Sequence, residues 1–376
     1  MRLGFSQLAR YARTMSSIGD RVLQRLEQIS PRPTHRDIAE RIGMTPDAFS
    51  RALNGKRQFA SIELARLAEQ IGADLHWLIT GQPDPNRVSI AARHDFDHSS
   101  GQRTIPGRAG DEPTLADIAL AYRQAYPEPG SPPCWPGSPG SLRESLGHDF
   151  VRPFAERLEK LLGVGVVRVA ELSTAYSLTV GGRPVVAVPA TGNWFRENWD
   201  IAHELGHLIK GHHDEGLTQS DADQHESAAN AFAAELLLPA ADLKSMKWDS
   251  IGDDELAALV WSLGVSIDAL CRRLSAVLGY TPKRVAHWAA HPTQRLLRQH
   301  PPTDSELDEI TLRMDAASQR RFPLGLQEAH LGRVASGAIS KATLAWMLGI
   351  DAAMLEVDSP DIPEVDVDDL ASELGL

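Results

Sequence analysis

Two histidines and a glutamate have metal-binding spacing in the segment that starts at residue 198, "NWDIAHELGHLIKGHH". His203 and His207 are four residues apart, so on a helix both imidazoles lie on one face and can reach one ion. Glu204 lies next to His203 and can approach a metal-bound water without being a ligand. This set fits peptide hydrolysis: Zn²⁺ polarises the scissile carbonyl and activates water, and the carboxylate carries the proton to the leaving amine.

A third ligand has to come from another segment. The next predicted helix, "DQHESAANAFAAELLLP", begins with Glu226, and Asn230 lies one turn further along the same face. Glu235 is nine residues beyond Glu226 and points the opposite way around the helix. The rival ligands are His212, His213 and Asp214, in the loop between the helices. The sequence favours Glu226 over them, and it lacks the metzincin pattern HExxHxxGxxH.

Peptide hydrolysis also needs a group that stabilises the oxyanion, because zinc alone rarely carries all of that charge. Tyr176, Arg196 and His225 are the candidates, and each also has a structural explanation. Asn230 is predicted to hydrogen-bond a metal ligand or a backbone group from behind. An edge strand can align a peptide substrate as an added strand. The run 184–189, "PVVAVP", is the predicted edge, since proline at both ends suits one.

The segment that contains His203 and the segment that begins with Glu226 together resemble the ImmA/IrrE metallopeptidases. The pattern of that family is an AHELGH helix followed by an ExxANxFAxxLLxP helix. The resemblance covers roughly residues 150–240 and includes the hairpin "AYSLTVGGRPVVAVPA". It implies that His203, His207 and Glu226 bind zinc and that Glu204 is the base. Members often have a basic-aromatic-Thr approach to the first motif, where this chain has "WFRENWD". The roles of Arg196 and Asp200 therefore stay open.

The elements around these motifs are predicted to be mostly helical. Three β-rich runs, "VGVVRVAEL", "AYSLTV" and "RPVVAVPA", precede the metal segment, and Gly181-Gly182 predicts a tight hairpin between the last two. Long helices are expected at about 196–210 and 222–237, and further helices continue to about 355. The predicted fold class is α+β: a zincin-like (gluzincin) domain with a small antiparallel sheet, an N-terminal helix-turn-helix bundle and a C-terminal helical region.

The N-terminal segment has the pattern of a basic helical module. Thr34 and Thr45 are expected to cap two short helices, with Gly43 in the turn between them. The segment from "HRDIAERIGMTPDAFSRALNGKR" to "LHWLITG" resembles the Xre/lambda-repressor-type helix-turn-helix domain over about 60 residues. In such domains the second helix meets the major groove. The resemblance implies a DNA interface within residues 34–57, with base or backbone contacts from Thr45, Asp47, Ser50 and Arg51 and phosphate contacts from Asn54, Lys56 and Arg57.

Charge is unevenly distributed along the chain. Residues 1–81 have a net charge of +4, whereas the whole chain has −12. A basic module fused to an acidic body fits DNA binding. A helical dimerisation or partner-binding module is the alternative, because Asp47 would be unfavourable beside phosphate. A homodimer is expected by analogy with helix-turn-helix proteins that read two half-sites.

Four segments are predicted: the DNA-binding domain at 1–81, a helix and Pro/Gly-rich linker at 82–148, the peptidase at 149–245, and a helical C-terminal region with an acidic tail at 246–376. Cys134 and Cys271 lie in unrelated contexts, which argues for a reducing compartment. Cys271 is expected in the core, and Cys134 is either a linker residue or an inhibitory zinc ligand. With no apolar run of roughly 20 residues and no signal-peptide pattern, a cytoplasmic protein without a membrane partner is expected.

These observations predict a DNA-binding regulator that carries a zinc-dependent endopeptidase. By the family resemblance, its substrate is another protein, a repressor or antitoxin-like regulator, cleaved in a stress or mobile-element response. The alternative is a transcription factor whose zinc domain senses or scaffolds without proteolysis. Intact Glu204 favours the enzyme, because a scaffold does not need the base.

Overall fold

The structure is a computed structural model, and it describes residues 17–27, 29, 32–81, 88–92, 95–97, 102–104, 107–131, 133–212, 219–302 and 308–357. These residues form two compact units, one within 17–81 and one from Val88 onwards. The second unit combines the predicted linker, peptidase and C-terminal segments, and the finer division into four segments stays a prediction. The acidic tail from 358 lies outside the described residues.

The first unit, as far as the structure describes it, is a bundle of short helices. They are α1 (Ile18–Glu27), α2 (His35–Ile42), α3 (Pro46–Leu53), α4 (Ser61–Ile71) and α5 (Leu75–Thr80). Thr34 caps α2, and Gly43 ends it in the left-handed conformation with φ 78°. Thr45 then caps α3 by accepting a hydrogen bond from the backbone N–H of Ala48. The predicted pair of short helices with a glycine turn between them is confirmed.

The core of this unit is apolar, with Phe49 of α3 fully buried among side chains from α1, α2 and α4. Gly19 allows α1 to cross α3 closely, because a Cβ atom at that position would lie 1.9 Å from the carbonyl oxygen of Leu53. Burial of one side of α3 leaves its other side exposed to solvent.

The second unit is built around a four-stranded sheet with the strand order β1-β5-β6-β4. Its strands are β1 (Val88–Ala92), β4 (Gly165–Val169), β5 (Tyr176–Val180) and β6 (Arg183–Pro189), and β2 (Asp95–Asp97) pairs with β3 (Gln102–Thr104) in a separate ladder. The predicted hairpin is confirmed: β5 and β6 are antiparallel, and Gly181 and Gly182 both have positive φ, as a two-residue turn of this type requires.

Two predictions about this sheet are wrong. The sheet is mixed rather than antiparallel, because β4 pairs with β6 in the parallel direction. The run 184–189 is not an edge, because β6 lies between β5 and β4 and pairs with both. The sheet edges among the described strands are β1 and β4. Pro184 and Pro189 sit at the ends of β6, where a missing N–H donor is tolerated even in an interior strand.

Helices cover both faces of the sheet. They are α6 (Arg108–Ala125), α7 (Pro139–Leu146), α8 (Phe154–Leu162), α9 (Trp194–Lys210), α10 (Gln219–Leu237), α11 (Ala240–Ser245), α12 (Asp253–Leu263), α13 (Ile267–Leu278), α14 (Lys283–Ala289), α15 (Thr293–Gln299), α16 (Glu309–Ser318), α17 (Leu324–Ala335) and α18 (Ala342–Leu348), with short 3-10 turns at Trp248–Ser250 and Ala352–Met354. Along β6, Val186 and Val188 face a core shared with α9, while Val185 and Ala187 face α6, α17 and α18. Because successive side chains of a strand point to opposite faces, β6 contributes apolar side chains to both cores.

The predicted linker is more ordered than its composition indicates. Helix α6 packs on the sheet through buried apolar residues such as Ile118. The Pro/Gly-rich stretch after it lacks helix and strand in its described residues, but the N–H of Gly130 donates to the carbonyl of Gly181 at 2.7 Å. In the described part of the chain, no helix is both long and apolar enough to cross a membrane.

Candidate metal centre

Helix α9 carries the two histidines and the glutamate of the first motif. The side chain of Asn193 caps it by accepting from the N–H of Arg196, and Gly211 ends it in the left-handed conformation. The helix is buried along most of its length, and His203 and Glu204 are both fully inaccessible to solvent. Three polar side chains that are buried together in this way need partners or a ligand.

Helix α10 crosses α9 at close range. A Cβ atom on Gly206 would lie 3.2 Å from the Cα atom of Ala229 and 3.2 Å from a ring carbon of Phe232. Only glycine allows the two backbones to approach this far without displacement. The crossing brings Glu226, one turn before Ala229, to the face of α9 that carries the histidines.

Three side-chain atoms converge at this crossing. His203 Nε2 lies 3.3 Å from Glu226 Oε2, and His207 Nε2 lies 3.3 Å from Glu226 Oε1. The two Nε2 atoms are 3.1 Å apart. All candidate ligand atoms of this group lie within 4.8 Å of one another, and all three residues are buried. The structure therefore brings together the three residues that the sequence predicts as ligands.

Further side chains orient the two histidines through contacts with their Nδ1 atoms. His203 Nδ1 lies 3.1 Å from Asn230 Oδ1. An amide oxygen accepts, so His203 donates to Asn230 from Nδ1, and its Nε2 faces Glu226. His207 Nδ1 lies 3.2 Å from His212 Nδ1, and the His212 ring stacks on His225 at 3.9 Å. His212 supports His207, a role that the sequence did not indicate.

Glu204 lies in an unusual environment for a carboxylate. Both of its oxygens are buried and have no hydrogen-bond partner among the described residues. Ser177 of β5 lies next to Glu204, although its hydroxyl does not form a hydrogen bond within that part of the chain. Burial raises the pKa of Glu204, and His203, His207 and Ser177 act against that rise.

The electrostatics of Glu226 differ from those of Glu204. Burial alone would raise the pKa of Glu226, but hydrogen bonds from His203 and His207 outweigh it and hold the pKa well below the ordinary range. Glu226 is thus kept ionised, which is the form that binds a cation. Two imidazoles and a carboxylate are a common zinc ligand set in catalytic sites. A bound zinc and its water would also give the Glu204 oxygens a partner, so the residues present fit a zinc ion.

Comparison with known proteins gives one match. Residues 162–275 match peptidase family M78, the family of IrrE N-terminal-like domains. That match supports the ImmA/IrrE family. It covers β4, β5, β6 and the helices from α9 to most of α13, and it indicates a domain of the metallopeptidase type. No curated protein and no solved structure matches the chain.

The rival ligands fall into two groups. His212 contacts His207 and is outside the converging group, while His213 and Asp214 lie outside the described residues. Glu235 accepts from Arg273 at 2.5 Å, away from the site. Glu235 therefore points away from Glu226 around α10, as the sequence predicts from their nine-residue spacing.

Tyr176 is wrong as a candidate for the transition state. Its side chain is buried on the opposite face of the sheet from α9, and its hydroxyl donates to Asp111 Oδ2 at 2.6 Å. Because side chains alternate along a strand, the next residue, Ser177, is the one that faces Glu204. The sequence signal for Ser177 was available: it is polar between the apolar residues Tyr176 and Leu178.

Arg196 and His225 have different surroundings. Arg196 lies two turns before His203 on the same side of α9, is about half exposed, and its Nε donates to the buried Asp200 at 3.3 Å. His225 lies next to Glu226, and its Nδ1 is buried without a hydrogen-bond partner among the described residues. A role for either in catalysis stays a prediction.

The residues predicted to bind DNA lie mostly on the exposed side of α3. Thr45, Asp47, Ser50, Arg51, Asn54 and Lys56 are exposed. Arg57 differs, because both of its terminal nitrogens donate to Glu63 at 2.7 and 2.9 Å. This pairing neutralises the Arg57 charge and holds the side chain in the unit, which disfavours a phosphate contact from Arg57.

The two cysteines lie outside the metal centre. Cys134 is exposed, and Cys271 is partly buried against the core that contains α9. The position of Cys271 agrees with the predicted packing role. The group of metal-binding atoms found in the described residues does not include Cys134.

Proposed function

We propose that the second unit is a zinc-dependent endopeptidase. One observation carries this proposal: a buried carboxylate without a hydrogen-bond partner in the described chain, Glu204, lies beside three buried atoms that converge as a ligand set. A structural zinc site would need the ligands alone. A hydrolytic site also needs a base that reaches the metal-bound water.

Different residues of the chain would bind the ion and transfer the proton. His203, His207 and Glu226 would hold the ion, with Asn230 and His212 fixing the two imidazoles. Zinc in this position would supply Lewis-acid polarisation of the scissile carbonyl and of water. Glu204 would accept a proton from the attacking water and deliver it to the leaving amine. Its raised pKa, caused by burial, favours proton acceptance and keeps the proton available for the second transfer.

The substrate strand is proposed to bind on the edge of β5. Peptidases of this type align a substrate by adding it to an edge strand. Ser177 of β5 lies next to Glu204, so the chemistry lies beside β5. In the structure β1 occupies this edge, with Ala91 opposite Ser177, and β1 precedes the segment that matches the family.

Distance decides between two positions for the substrate strand, either outside β1 or in the place of β1. Neighbouring strands lie about 4.8 Å apart, so a peptide outside β1 would be about 10 Å from β5. A peptide in the place of β1 would be one spacing away, within reach of Glu204. We therefore propose that an extended substrate replaces residues 88–92 on β5, and that the chain itself blocks the site until these residues leave.

The test of the peptidase compares the wild type with Glu204→Gln. Each protein is expressed beside the regulators encoded next to it, and cleavage products are identified by mass spectrometry. Glu204→Gln should retain stoichiometric zinc and lose cleavage, whereas Glu226→Ala should lose zinc. A product that persists unchanged in Glu204→Gln would assign the cleavage to another protein, and zinc retained by Glu226→Ala would refute the ligand set. A repressor or antitoxin-like protein is the proposed substrate class.

For the first unit we propose DNA binding through α3. The support is the exposed polar face of α3, capped by Thr45 and followed by the exposed Lys56. DNA from the chain's own promoter should bind with an affinity that falls as salt rises. Lys56→Ala should reduce the slope of log affinity against log salt by about 1, while Arg57→Ala should leave it unchanged. Binding that is absent or independent of salt would favour a protein-binding module.

A further inference from the structure

A cavity of about 360 Å³ lies beside the first turn of α9, away from the ligand set. Four residues from separate parts of the chain define it, and we name it the Trp–Arg cavity: Arg152, which precedes α8, Trp194 in α9, Trp261 in α12 and Arg313 in α16. The mechanism proposed above uses none of them.

Each of these four residues has one side-chain donor without a partner among the described residues. Arg152 Nε, Trp194 Nε1, Trp261 Nε1 and Arg313 Nη1 are all buried, and none has a hydrogen-bond partner among the described residues. The two tryptophans are only 5% and 3% exposed. A buried donor left without an acceptor costs about 1–3 kcal/mol. A ligand that supplies acceptors to these donors would offset this cost.

The cavity also places the positive charge of Arg313 beside the two indole rings. The Arg313 guanidinium lies 4.0 Å from the ring centre of Trp194 and 4.7 Å from that of Trp261, and it has no ion pair in the described part of the chain. Burial, and then the charge of Arg152, lower the pKa of Arg313 to about 10. A bound anion would pair with the Arg313 charge and would oppose the lowering of its pKa.

The acidic side chains nearby do not form an ion pair with Arg313 in the described part of the chain. Glu197 is held by Arg168, with its carboxylate oxygens 2.5 and 2.7 Å from the guanidinium nitrogens. Glu156 pairs with Arg321 at 3.3 Å. Glu309 also lines the cavity and its charge acts to raise the pKa of Arg313, but the two residues form no ion pair in the described part of the chain. Arg152 is 3.4 Å from Asp149 through a different nitrogen, Nη2, so its Nε stays available.

We propose that the Trp–Arg cavity binds a small organic anion through a carboxylate or phosphate group. Guanidinium groups suit both oxyanions, because their N–H groups match the spacing of the oxygens. The volume is in the lower range of small-molecule sites, and the indole rings offer an apolar wall for the body of the ligand. The first turn of α9 adds the partial positive charge of a helix N-terminus. This proposal does not depend on the peptidase or on DNA binding.

Binding is tested on the full chain with two probes, sodium benzoate and inorganic phosphate, against sodium chloride at matched ionic strength. Tryptophan fluorescence and the melting temperature are measured up to about 10 mM probe. At least one probe should give a saturable change in fluorescence and a higher melting temperature. Saturation by benzoate alone would assign the site to carboxylates, and saturation by phosphate alone would assign it to phosphate groups.

Variants decide where the probe binds. Arg313→Met keeps an unbranched apolar side chain between the indoles, and Trp261→Phe keeps an aromatic ring without the N–H donor. Each should weaken binding about tenfold, the effect of one lost hydrogen bond to a charged group. Arg272→Met, which removes an exposed arginine, should bind like the wild type. If Arg313→Met does not fold, Trp261→Phe decides alone. No saturation by either probe, or equal binding by wild type and variants, would overturn the proposal.

Discussion

His203 Nδ1 lies 3.1 Å from Asn230 Oδ1, which links the imidazole of α9 to the amide of α10. The contact fixes the tautomer and the ring orientation of His203 before any ion binds. Since α10 also supplies Glu226, the same helix provides one ligand and orients another. The geometry of the site therefore depends on how closely the two helices cross.

Asn230→Ala should weaken zinc binding by about 10- to 100-fold while leaving the three ligands in place. The reason is that His203 loses the acceptor that orients its ring and fixes its proton. Zinc affinity is measured by competition with a chromophoric chelator at constant pH. Asn54→Ala, in the other unit, is the control and should bind zinc like the wild type. Equal affinities in both variants would show that Asn230 does not position His203.

Gly206→Ala should destabilise the protein by about 1–3 kcal/mol, because the added Cβ forces α9 and α10 apart. Zinc affinity should fall as well, since Glu226 moves with α10. Gly332→Ala is a matched control: nothing lies within 4 Å of a Cβ at Gly332, so alanine should be neutral or stabilising there. Urea unfolding of the metal-free proteins measures the first effect. A Gly206→Ala protein with wild-type stability would mean that the crossing tolerates a methyl group.

The local parts of this site could be predicted from sequence, because the histidine spacing, the helix caps and the Gly181-Gly182 hairpin depend on neighbouring residues. The order of strands could not be, because pairing of β6 with both β4 and β5 is a long-range property that the composition of a strand does not reveal. Tyr176 illustrates the difference. The sequence placed it on the correct strand, but which face of β5 meets α9 depends on the whole sheet.

The Trp–Arg cavity shows the same limit more strongly. Trp194 and Arg313 are more than a hundred residues apart in the chain, and neither has a local pattern that indicates a site. Their significance comes from the donors that the fold buries together. By contrast, the sequence does single out His212, as a rival ligand, because it follows His207 by five residues just beyond the end of the same helix.

Acid should destabilise the second unit through His330. This histidine is fully buried, its Nε2 lies 2.7 Å from the carbonyl oxygen of Ala121, and burial lowers its pKa below the ordinary value of 6.5. The unfolded chain then binds a proton at a higher pH than the folded chain does. Stability is therefore full above pH 6.5 and falls as the pH drops below 6.5 towards the folded-state pKa.

His330→Gln tests this effect, because glutamine keeps an N–H donor and does not titrate. The free energy of unfolding in urea should decline less between pH 7.5 and pH 5 than it does in the wild type. His35→Gln, at an exposed position of the first unit, should keep the wild-type pH dependence. Comparing each variant with the wild type cancels the other titrating groups, including those of the metal centre. Parallel pH profiles for wild type and His330→Gln would contradict the prediction.

A disulfide that locks β1 onto β5 should switch off the proposed peptidase. Ser89 and Thr179 are cross-strand partners, at a Cα separation that a disulfide can bridge. When Ser89→Cys and Thr179→Cys are combined and oxidised, the substrate cannot replace β1, so cleavage should fall at least about tenfold if the edge is needed. Reduction should restore it, and zinc content should stay constant throughout.

Thr179→Cys alone is the control for the native cysteines, and oxidant should leave its activity unchanged. The reduced double variant separates the two proposals: if it does not cleave, the peptidase itself is in question, whereas cleavage that survives in the locked form shows that substrate binds elsewhere. Loss of cleavage on oxidation and its return on reduction would support the proposal that residues 88–92 cover the edge of β5 beside Glu204.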